Sequence, residues 1–445
     1  MDLLQKKILV LGLGESGRAA AKFLLHKGAF VVGFDKDKSL IESNKEIQNM
    51  CLDGLQAFGD EALIAVQDFD LVVVSPGFSP TEKLYGQAIA AGIEIIGEME
   101  LGCRFLKDFK SQAIGITGTN GKTTVTLLVE HVLNEAGIKA KAVGNIGTPI
   151  TSYLLNDNRD SSEILVIELS SFQIETLFCK VFELAVILNI TPDHLDRYEG
   201  MNDYAMAKIK LKNCMKDKAP LYVNEACYKE FQGMFGSANV SLFGYQIGHQ
   251  KHNNLYTDLK NVYLKETMPY TWPYHEIENM MAAYAMVKHF NITAEQFLKS
   301  YAGFKKPSHR IEFVREVNGI SYYDDSKGTN IDAVMKAVEA LKQPIYLIAG
   351  GVDKGASYAP WKEIFKHKVK AVLAIGEAAE KIRNDLFPQI EVAVFKTLEM
   401  AVRSATDLAE NGDAVLLSPG CSSYDMFKDY KERGNEFKRV VNLFK

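Results

Sequence analysis

The sequence predicts an α/β protein built on parallel, doubly wound sheets, and three observations carry that expectation. Short apolar runs alternate with amphipathic stretches of about 10 to 15 residues, the pattern of βαβ units. The apolar runs end in glycine, polar or acidic residues. Two junctions between an apolar run and an amphipathic stretch are glycine-rich, "GLGESG" at 12–17 and "GTNGKTT" at 118–124.

Composition sets the limits. At 445 residues, 47% hydrophobic and 24% charged, the chain fits two or three globular domains of roughly 100–200 residues each. The net charge of -5 comes without a run of lysine and arginine, so a nucleic-acid partner has no electrostatic footprint. Six cysteines with no CxxC pair read as reduced, mostly buried thiols rather than a zinc site or disulfide framework. No window approaches the roughly 18 apolar residues of a membrane span, and no apolar leader precedes "KKILVLGLG". The expected address is cytoplasmic.

Three blocks follow one another. The first runs through "KILVLGLG", "FVVGFD", "DLVVVSPG" and "GIEIIGEME"; the second opens at "SQAIGITG" and includes "EILVIELSS" and "ELAVILNITPDH". Its tail, from about Pro220 to Tyr274, lacks helical periodicity and predicts loops and antiparallel strands, and a helix is expected from about Glu276 to His289. After "YAGFKKPSHR" the third block carries "ISYYDDSKGTN", "IYLIAGGVDKG", "AVLAIG" and "AVLLSPGCSS".

"GITGTNGKTT" opens the second block's chemistry. An apolar run breaks into glycines and then into a helix in which Leu127, Leu128, Val132 and Leu133 share a face and Gly137 supplies the stop. Glycines let backbone N–H groups approach phosphate, the helix N-terminus favours negative charge, Lys122 reaches the outer phosphates, and a threonine hydroxyl can join magnesium. The loop departs from G-x-x-x-x-G-K-[ST] because Ile116 stands where the first glycine would, which makes it a tighter variant of the nucleoside triphosphate cradle. Glu168, closing "EILVIE", and His194 with Asp193, following "LAVILNI", are strand-end candidates for the metal that such a cradle needs. Each alone is more commonly a cap or structural residue; together on one sheet they favour metal binding.

In the first block, Gly12, Gly14 and Gly17 lie between a strand and a helix beginning near Arg18, with Asp35 ending the next strand, a dinucleotide fingerprint in context. A dehydrogenase is its natural reading. The physics it encodes, diphosphate on a helix N-terminus, serves a uridine diphosphate equally well, and the triphosphate loop downstream argues against hydride chemistry.

"GITGTNGKTT", "GNIG", "ELSSFQIE", "NITPDHLDRY", "HRIE", "DDSKGTN" and "SPGCSSYDMFKDYKERGNEF" resemble the Mur ligases of peptidoglycan synthesis, in order and over nearly the whole chain. "ELSSFQ", "DSK-x-TN" and "RG-x-EF" resemble the D-glutamate-adding branch, and the "DNPR" signature of the diaminopimelate- or lysine-adding relative is absent. The resemblance implies three domains: a Rossmann-like N-terminal domain (1–97) for the UDP substrate, a central P-loop-type ATPase domain (98–306) and a Rossmann-like C-terminal domain (307–445) that closes over the reaction. It implies an ATP- and magnesium-dependent amide ligase acting on UDP-N-acetylmuramoyl-L-alanine and D-glutamate through an acyl phosphate, as a monomer.

By the same carry-over, ATP is held by Gly118, Thr119, Asn120, Gly121, Lys122, Thr123 and Thr124, with Asn279, Arg310 and Asp325. The UDP substrate falls to Gly14, Glu15, Ser16, Asp35, Ser75, Gly77 and Asn145. D-glutamate falls to Lys327, Thr329, Lys354, Ser423 and Tyr430, the last in place of a different aromatic. Metal is assigned to Thr123, Glu168, His194 and a carbamylated Lys208; Lys122, His194, Lys208 and Lys327 form the catalytic set. From the residues alone Lys208 reads as a surface lysine on an amphipathic helix, and only the resemblance makes it a ligand. Two departures stand out: Glu276 occupies the position of a usual asparagine, and Lys36 follows Asp35 where a small hydroxyl residue is common. Two other classes share parts of this pattern, a nucleotide-gated regulatory protein and a related ligase for folate or another UDP-peptide. Glu168, His194, Lys208 and Lys327 together oppose the first, and the N-terminal glycines oppose the folate reading.

Overall fold

The computed structural model describes residues 1–106, 112–156, 160, 162–244, 254–265 and 274–445. Among these, the strands form three sheets. In the first, β1 (Lys7–Leu11), β2 (Phe30–Phe34), β3 (Gln56–Phe58), β4 (Leu71–Val74) and β5 (Ile95–Gly97) run parallel in the order β3-β2-β1-β4-β5. Ile8–Leu11 of β1 are buried without alternation, as a parallel sheet covered on both faces requires.

The second sheet contains β6 (Ala113–Thr117), β7 (Ala140–Gly144), β8 (Ile164–Glu168), β9 (Phe182–Ile187), β10 (Leu221–Asn224) and β11 (Val240–Phe243), all parallel in the order β11-β10-β9-β6-β8-β7. The helix Lys122–Glu135 leaves β6 and ends at Gly137, whose φ of +77° makes it the left-handed stop. It buries Leu128, Val132 and Leu133, while Leu127 is only half-buried.

The third sheet holds β12 (Glu312–Val317), β13 (Ile320–Asp324), β14 (Ile345–Gly350), β15 (Val369–Ile375), β16 (Val392–Phe395) and β17 (Ala414–Leu417) in the order β12-β13-β17-β14-β15-β16. Here only β12 and β13 pair antiparallel, joined by the two-residue turn Asn318-Gly319 with φ of +53° and +78°, the left-handed pair that a tight hairpin favours. Trp361, Phe365, Ile382 and Leu386 pack on one face of this sheet, and Val402, Phe437, Val440 and Val441 on the other.

Several expectations change. The segment after Pro220 forms parallel strands β10 and β11 with helices Glu225–Phe235 and Asn254–Lys265, not antiparallel strands; residues 245–253 and 266–273 lie outside the described residues. Its strands are only four residues each, too short to show alternation. The first helix starts at Glu15 rather than near Arg18, because Gly14 is already its extended N-cap. The helix expected at 276–289 spans Tyr274–Val287 and passes into a tighter 3₁₀ turn. Strands β3, β7, β12 and β16 were not anticipated, since each is short or flanked by polar residues.

The described chain divides into two compact units. The first comprises Met1–Asn189, Ala205–Met268 and Glu278–Phe304; the second comprises Ile190–Tyr204, Pro269–Ile277 and Lys305–Lys445.

Candidate functional site

In the first unit the phosphate loop is built by glycine. Gly118 and Gly121 carry φ of +157° and +85°, and a Cβ on Gly121 would lie 2.3 Å from Asn279 Oδ1. Only glycine lets the chain pass that close. Asn189, which the sequence reading did not single out, braces the loop: its carbonyl accepts from Thr119 N at 2.9 Å, its Oδ1 from Asn120 N at 2.8 Å, and its Nδ2 donates to Asn120 O at 3.1 Å. Lys122 Nζ donates to the carbonyls of Gly118 (3.0 Å) and Thr119 (2.8 Å), so its charge is held over the loop. Thr123 and Thr124 are half-buried in the helix's first turn.

Glu168 ends β8 in register with Ile116, one strand away from the loop. It is 2% exposed; Oε1 accepts from Asn145 Nδ2 at 2.8 Å, and Oε2 has no partner among the described residues. A buried carboxylate oxygen without a donor is costly, and a divalent cation beside a phosphate loop is the partner that would satisfy it. Asn145, expected at the UDP substrate, is thus brought to Glu168. Lys208 is 1% exposed and donates to Gly118 O at 2.8 Å, which corrects the surface reading of that residue. The helical pattern around it was too weak to show which face is inward.

The N-terminal glycines behave as the fingerprint requires. Gly12 has φ of +85° and accepts from Ser75 Oγ at 2.8 Å; a Cβ on Gly17 would lie 1.8 Å from Gly12 O. Asp35 Oδ2 accepts from Leu13 N at 2.7 Å, and its Oδ1 from Asp37 N at 3.0 Å. Gly14, Glu15 and Gly77 are exposed and Ser16 half-buried, at one end of the sheet beside β1 and β4.

The second unit gathers the other group. Asp193 is buried; its Oδ1 accepts from Lys354 Nζ at 2.9 Å and from His194 N at 3.0 Å, and its Oδ2 from Asn330 Nδ2 at 3.4 Å. His194 has φ of +56°, uncommon for a residue with a side chain, and its Nε2 lies 3.6 Å from Asp193 Oδ2. A narrow cavity beside this pair is lined by Asp193, Asn330, Asp353, Lys354, Tyr358 and Gly420, among others. Lys327 Nζ sits 4.0 Å over the Tyr430 ring, Thr329 is half-buried and Ser423 is buried. Asp325 accepts from Ser418 Oγ at 2.7 Å; burial pushes its carboxyl up to about 7, against the pull of the serine hydrogen bond and Arg310. His309 Nδ1 and Asp324 Oδ2 are 2.6 Å apart, while Lys438 Nζ takes Glu312 at 2.6 Å, so that this donor cluster satisfies itself. Glu276 pairs with Lys306 at 2.8 Å, a charge use no asparagine could share.

Of the expected residues in the first unit, Lys208 bonds the phosphate loop, Thr123 lies in the helix that follows it, and Asn145 bonds Glu168 on the neighbouring strand. In the second, His194 lies beside the Asp193–Lys354 pair, Asp325 follows β13 and Lys327 lies over Tyr430 at the start of a helix, while Thr329 and Ser423 lie in the loops after β13 and β17. Asp324, Asn330 and Asn189 were quoted within motifs without a role; their only signal was position beside an apolar run.

Comparison with known proteins bears on the family. Family profiles match as "Mur ligase MurD-like, N-terminal domain" at residues 6–97, "Mur ligase middle domain" at 116–287 and "Mur ligase, glutamate ligase domain" at 309–421. A UDP-N-acetylmuramoylalanine--D-glutamate ligase of Protochlamydia amoebophila is 48% identical, covering 98% of this chain and 98% of its own. One of Caldicellulosiruptor saccharolyticus is 37% identical, covering 99% and 100%. Among solved structures, a UDP-N-acetylmuramate-alanine ligase of Thermotoga maritima shares the fold at a TM-score of 0.60 and 16% identity, covering 99% of this chain and 100% of its own. A MurF ligase of the same organism in complex with ADP aligns at 0.59 and 14%, covering 99% and 94%. Three matched domains in order, and relatives aligned end to end, identify the chain as a member of the Mur ligase family.

Proposed function

We infer that this chain joins D-glutamate to UDP-N-acetylmuramoyl-L-alanine at the expense of ATP, as its 48% identical relative is named for doing. The observation that carries the reading is the buried Glu168 carboxylate, one oxygen without a partner among the described residues, in register beside a lysine-bearing phosphate loop.

A carboxylate is a poor electrophile. The γ-phosphoryl group of ATP passes to an oxygen of the alanyl carboxylate, giving an acyl phosphate and ADP; the amine of D-glutamate attacks the acyl carbon, loses a proton and expels inorganic phosphate. Backbone N–H groups of Gly118–Thr124 orient the triphosphate, and Lys122 neutralises charge as the phosphoryl group moves. Magnesium, when bound, draws charge from the phosphate oxygens. Thr123 and Glu168 are the residues to hold one ion, with Asn145 orienting Glu168; His194 and a carbamylated Lys208 are the residues for a second. Arg310, Asn279 and Asp325 hold the nucleotide. Gly14, Glu15, Ser16, Asp35, Ser75 and Gly77 receive the uridine diphosphate, and Lys327, Thr329, Lys354, Ser423 and Tyr430 receive D-glutamate. Domains at 1–97, 98–306 and 307–445 divide these tasks; the matched profiles and the separate sheets support the division. The enzyme works as a cytoplasmic monomer in this reading; no described helix is long and apolar enough to cross a membrane.

Release of ADP by the purified protein tests it. ADP should form only with both UDP-N-acetylmuramoyl-L-alanine and D-glutamate present, with a product heavier by one glutamyl residue. Equal release without the amino acid, or a preference for lysine or diaminopimelate, overturns the assignment.

A further inference from the structure

The motif "KERGNEF" contributes a residue that the reaction as derived leaves unused. Arg433 lies in the first turn of the helix Tyr430–Val441 and is 1% exposed, one of the largest fully buried side chains of the protein. Its partners are neutral oxygens: Nε donates to Ser326 Oγ at 3.0 Å, Nη2 to Ser326 O at 2.9 Å and Cys421 O at 3.1 Å, and Nη1 reaches Gly350 O at 3.5 Å. A buried cation normally pairs with an anion. Here burial lowers the guanidinium pKa to about 10, against the electrostatic pull of Cys421, Asp425, Asp324 and Asp325.

The positions of the acceptors explain the choice. Ser326 follows β13, Gly350 ends β14 and Cys421 follows β17, and β13, β17 and β14 are neighbours in the sheet. One planar fork with five donors therefore ties three adjacent strand ends together, a geometry that an ammonium cannot copy. Each tied residue lies close in sequence to a candidate D-glutamate ligand: Ser326 precedes Lys327, Gly350 opens the loop to Lys354, and Cys421 is two residues from Ser423. The fit is tight at the β14 end, where a Cβ on Gly351 would meet Arg433 Nη1 at 3.2 Å and Ser422 O at 2.1 Å. Ser326 Oγ in turn donates to Tyr430 O at 2.8 Å, which extends the tie to the aromatic under Lys327.

We propose that Arg433 is the positioning residue of the amino-acid site, holding the loops after β13, β14 and β17 in the spacing that receives the two carboxylates of D-glutamate, without touching the substrate itself. This rests on the ligase reading above. The fork sets where Lys327, Lys354 and Ser423 stand relative to one another, so its loss loosens recognition of the dicarboxylate before it affects the phosphate loop of the first unit.

The test uses the full-length protein with Arg433→Lys, which keeps the charge and loses the fork, and Ser326→Ala, which removes one acceptor and leaves the arginine. The Michaelis constants for D-glutamate, ATP and UDP-N-acetylmuramoyl-L-alanine are measured separately, with thermal unfolding alongside. Expected for Arg433→Lys is a rise of roughly tenfold or more in the D-glutamate constant, with the other two within about threefold. Ser326→Ala should shift the same constant in the same direction by a smaller factor. Guanidinium ion at millimolar concentration should restore part of the D-glutamate affinity of Arg433→Ala. A parent that uses D-glutamate while both variants keep its constant, or a loss spread evenly over all three substrates, overturns the role of Arg433 and leaves the ligase reading standing. A parent that does not use D-glutamate overturns the ligase reading. Should Arg433→Lys fail to fold, an unchanged D-glutamate constant in Ser326→Ala overturns the proposal.

Discussion

Lys208 Nζ donates a 2.8 Å hydrogen bond to the carbonyl of Gly118, joining a buried lysine to the first glycine of the phosphate loop ninety residues earlier. A lysine taken out of water at this point is placed for chemistry rather than solubility. Lys208→Ala should lose most turnover and regain part of it with a short-chain carboxylic acid, which supplies the anionic oxygen of a carbamate. ADP release with and without added acid reads this; full activity in the untreated variant contradicts it.

Lys354 contacts Asp193 at 2.9 Å and lies beside a narrow cavity. A charge-assisted hydrogen bond to a carboxylate is worth about 1.5–3 kcal/mol, so Lys354→Ala should raise half-saturation by D-glutamate roughly tenfold to a hundredfold. ATP and UDP-substrate constants should move little. An unchanged D-glutamate constant would remove Lys354 from the site.

Lys122 is held by two loop carbonyls, at 3.0 and 2.8 Å. If its charge is needed as the phosphoryl group transfers, Lys122→Ala should cost about 3 kcal/mol or more at the transition state, a fall of roughly a hundredfold in turnover. Single-turnover acyl-phosphate formation is the measurement. Retained turnover with unchanged ATP affinity would place the lysine outside the reaction.

Glu98 opens the helix Glu98–Leu106 fully buried; Oε1 accepts from Thr151 N (2.7 Å) and Oγ (2.6 Å), and Oε2 has no partner among the described residues. Burial, outweighing those hydrogen bonds, raises its carboxyl from 4.5 to about 7. Between those two values the folded state binds more protons than the unfolded state, so this group's contribution to stability falls as pH rises through the window, by on the order of 3 kcal/mol in total. Glu98→Gln removes that dependence. The melting temperature of the variant relative to the parent should therefore be more favourable at pH 8 than at pH 5, and a constant difference between the two pH values would show that Glu98 does not titrate there.

The sequence showed the parallel sheets where a strand was a buried apolar run ending in polar or glycine residues, as at Leu71–Val74 and Ile164–Ile167. It missed Gln56–Phe58 and Ala140–Gly144, where pairing with neighbours rather than apolar pattern makes the strand, and Val392–Phe395, whose apolar run is short and partly exposed at the sheet edge. Gly118, Gly121 and Lys122 were legible because glycine and lysine have few other reasons to share one loop. Asn189 was not, since an asparagine that braces a loop through its own backbone and amide leaves no periodic trace. Lys208 was legible only by resemblance: burial of one lysine depends on packing that a nine-residue helix does not announce.

The hairpin between β12 and β13 has a consequence for the two adjacent aspartates at its far end. Side chains alternate along a strand, so Asp324 and Asp325 turn to different neighbours, His309 and Ser418; the Asn318-Gly319 turn, which pairs Val317 with Ile320, and the register shift between Phe313 and Arg315 together bring Glu312 opposite Asp324. Those neighbours give the two carboxyls different environments, one against an imidazole and the other against a hydroxyl. The division of labour within "DDSK" therefore rests on strand register, fixed by a turn, a bulge and the parallel partner β17.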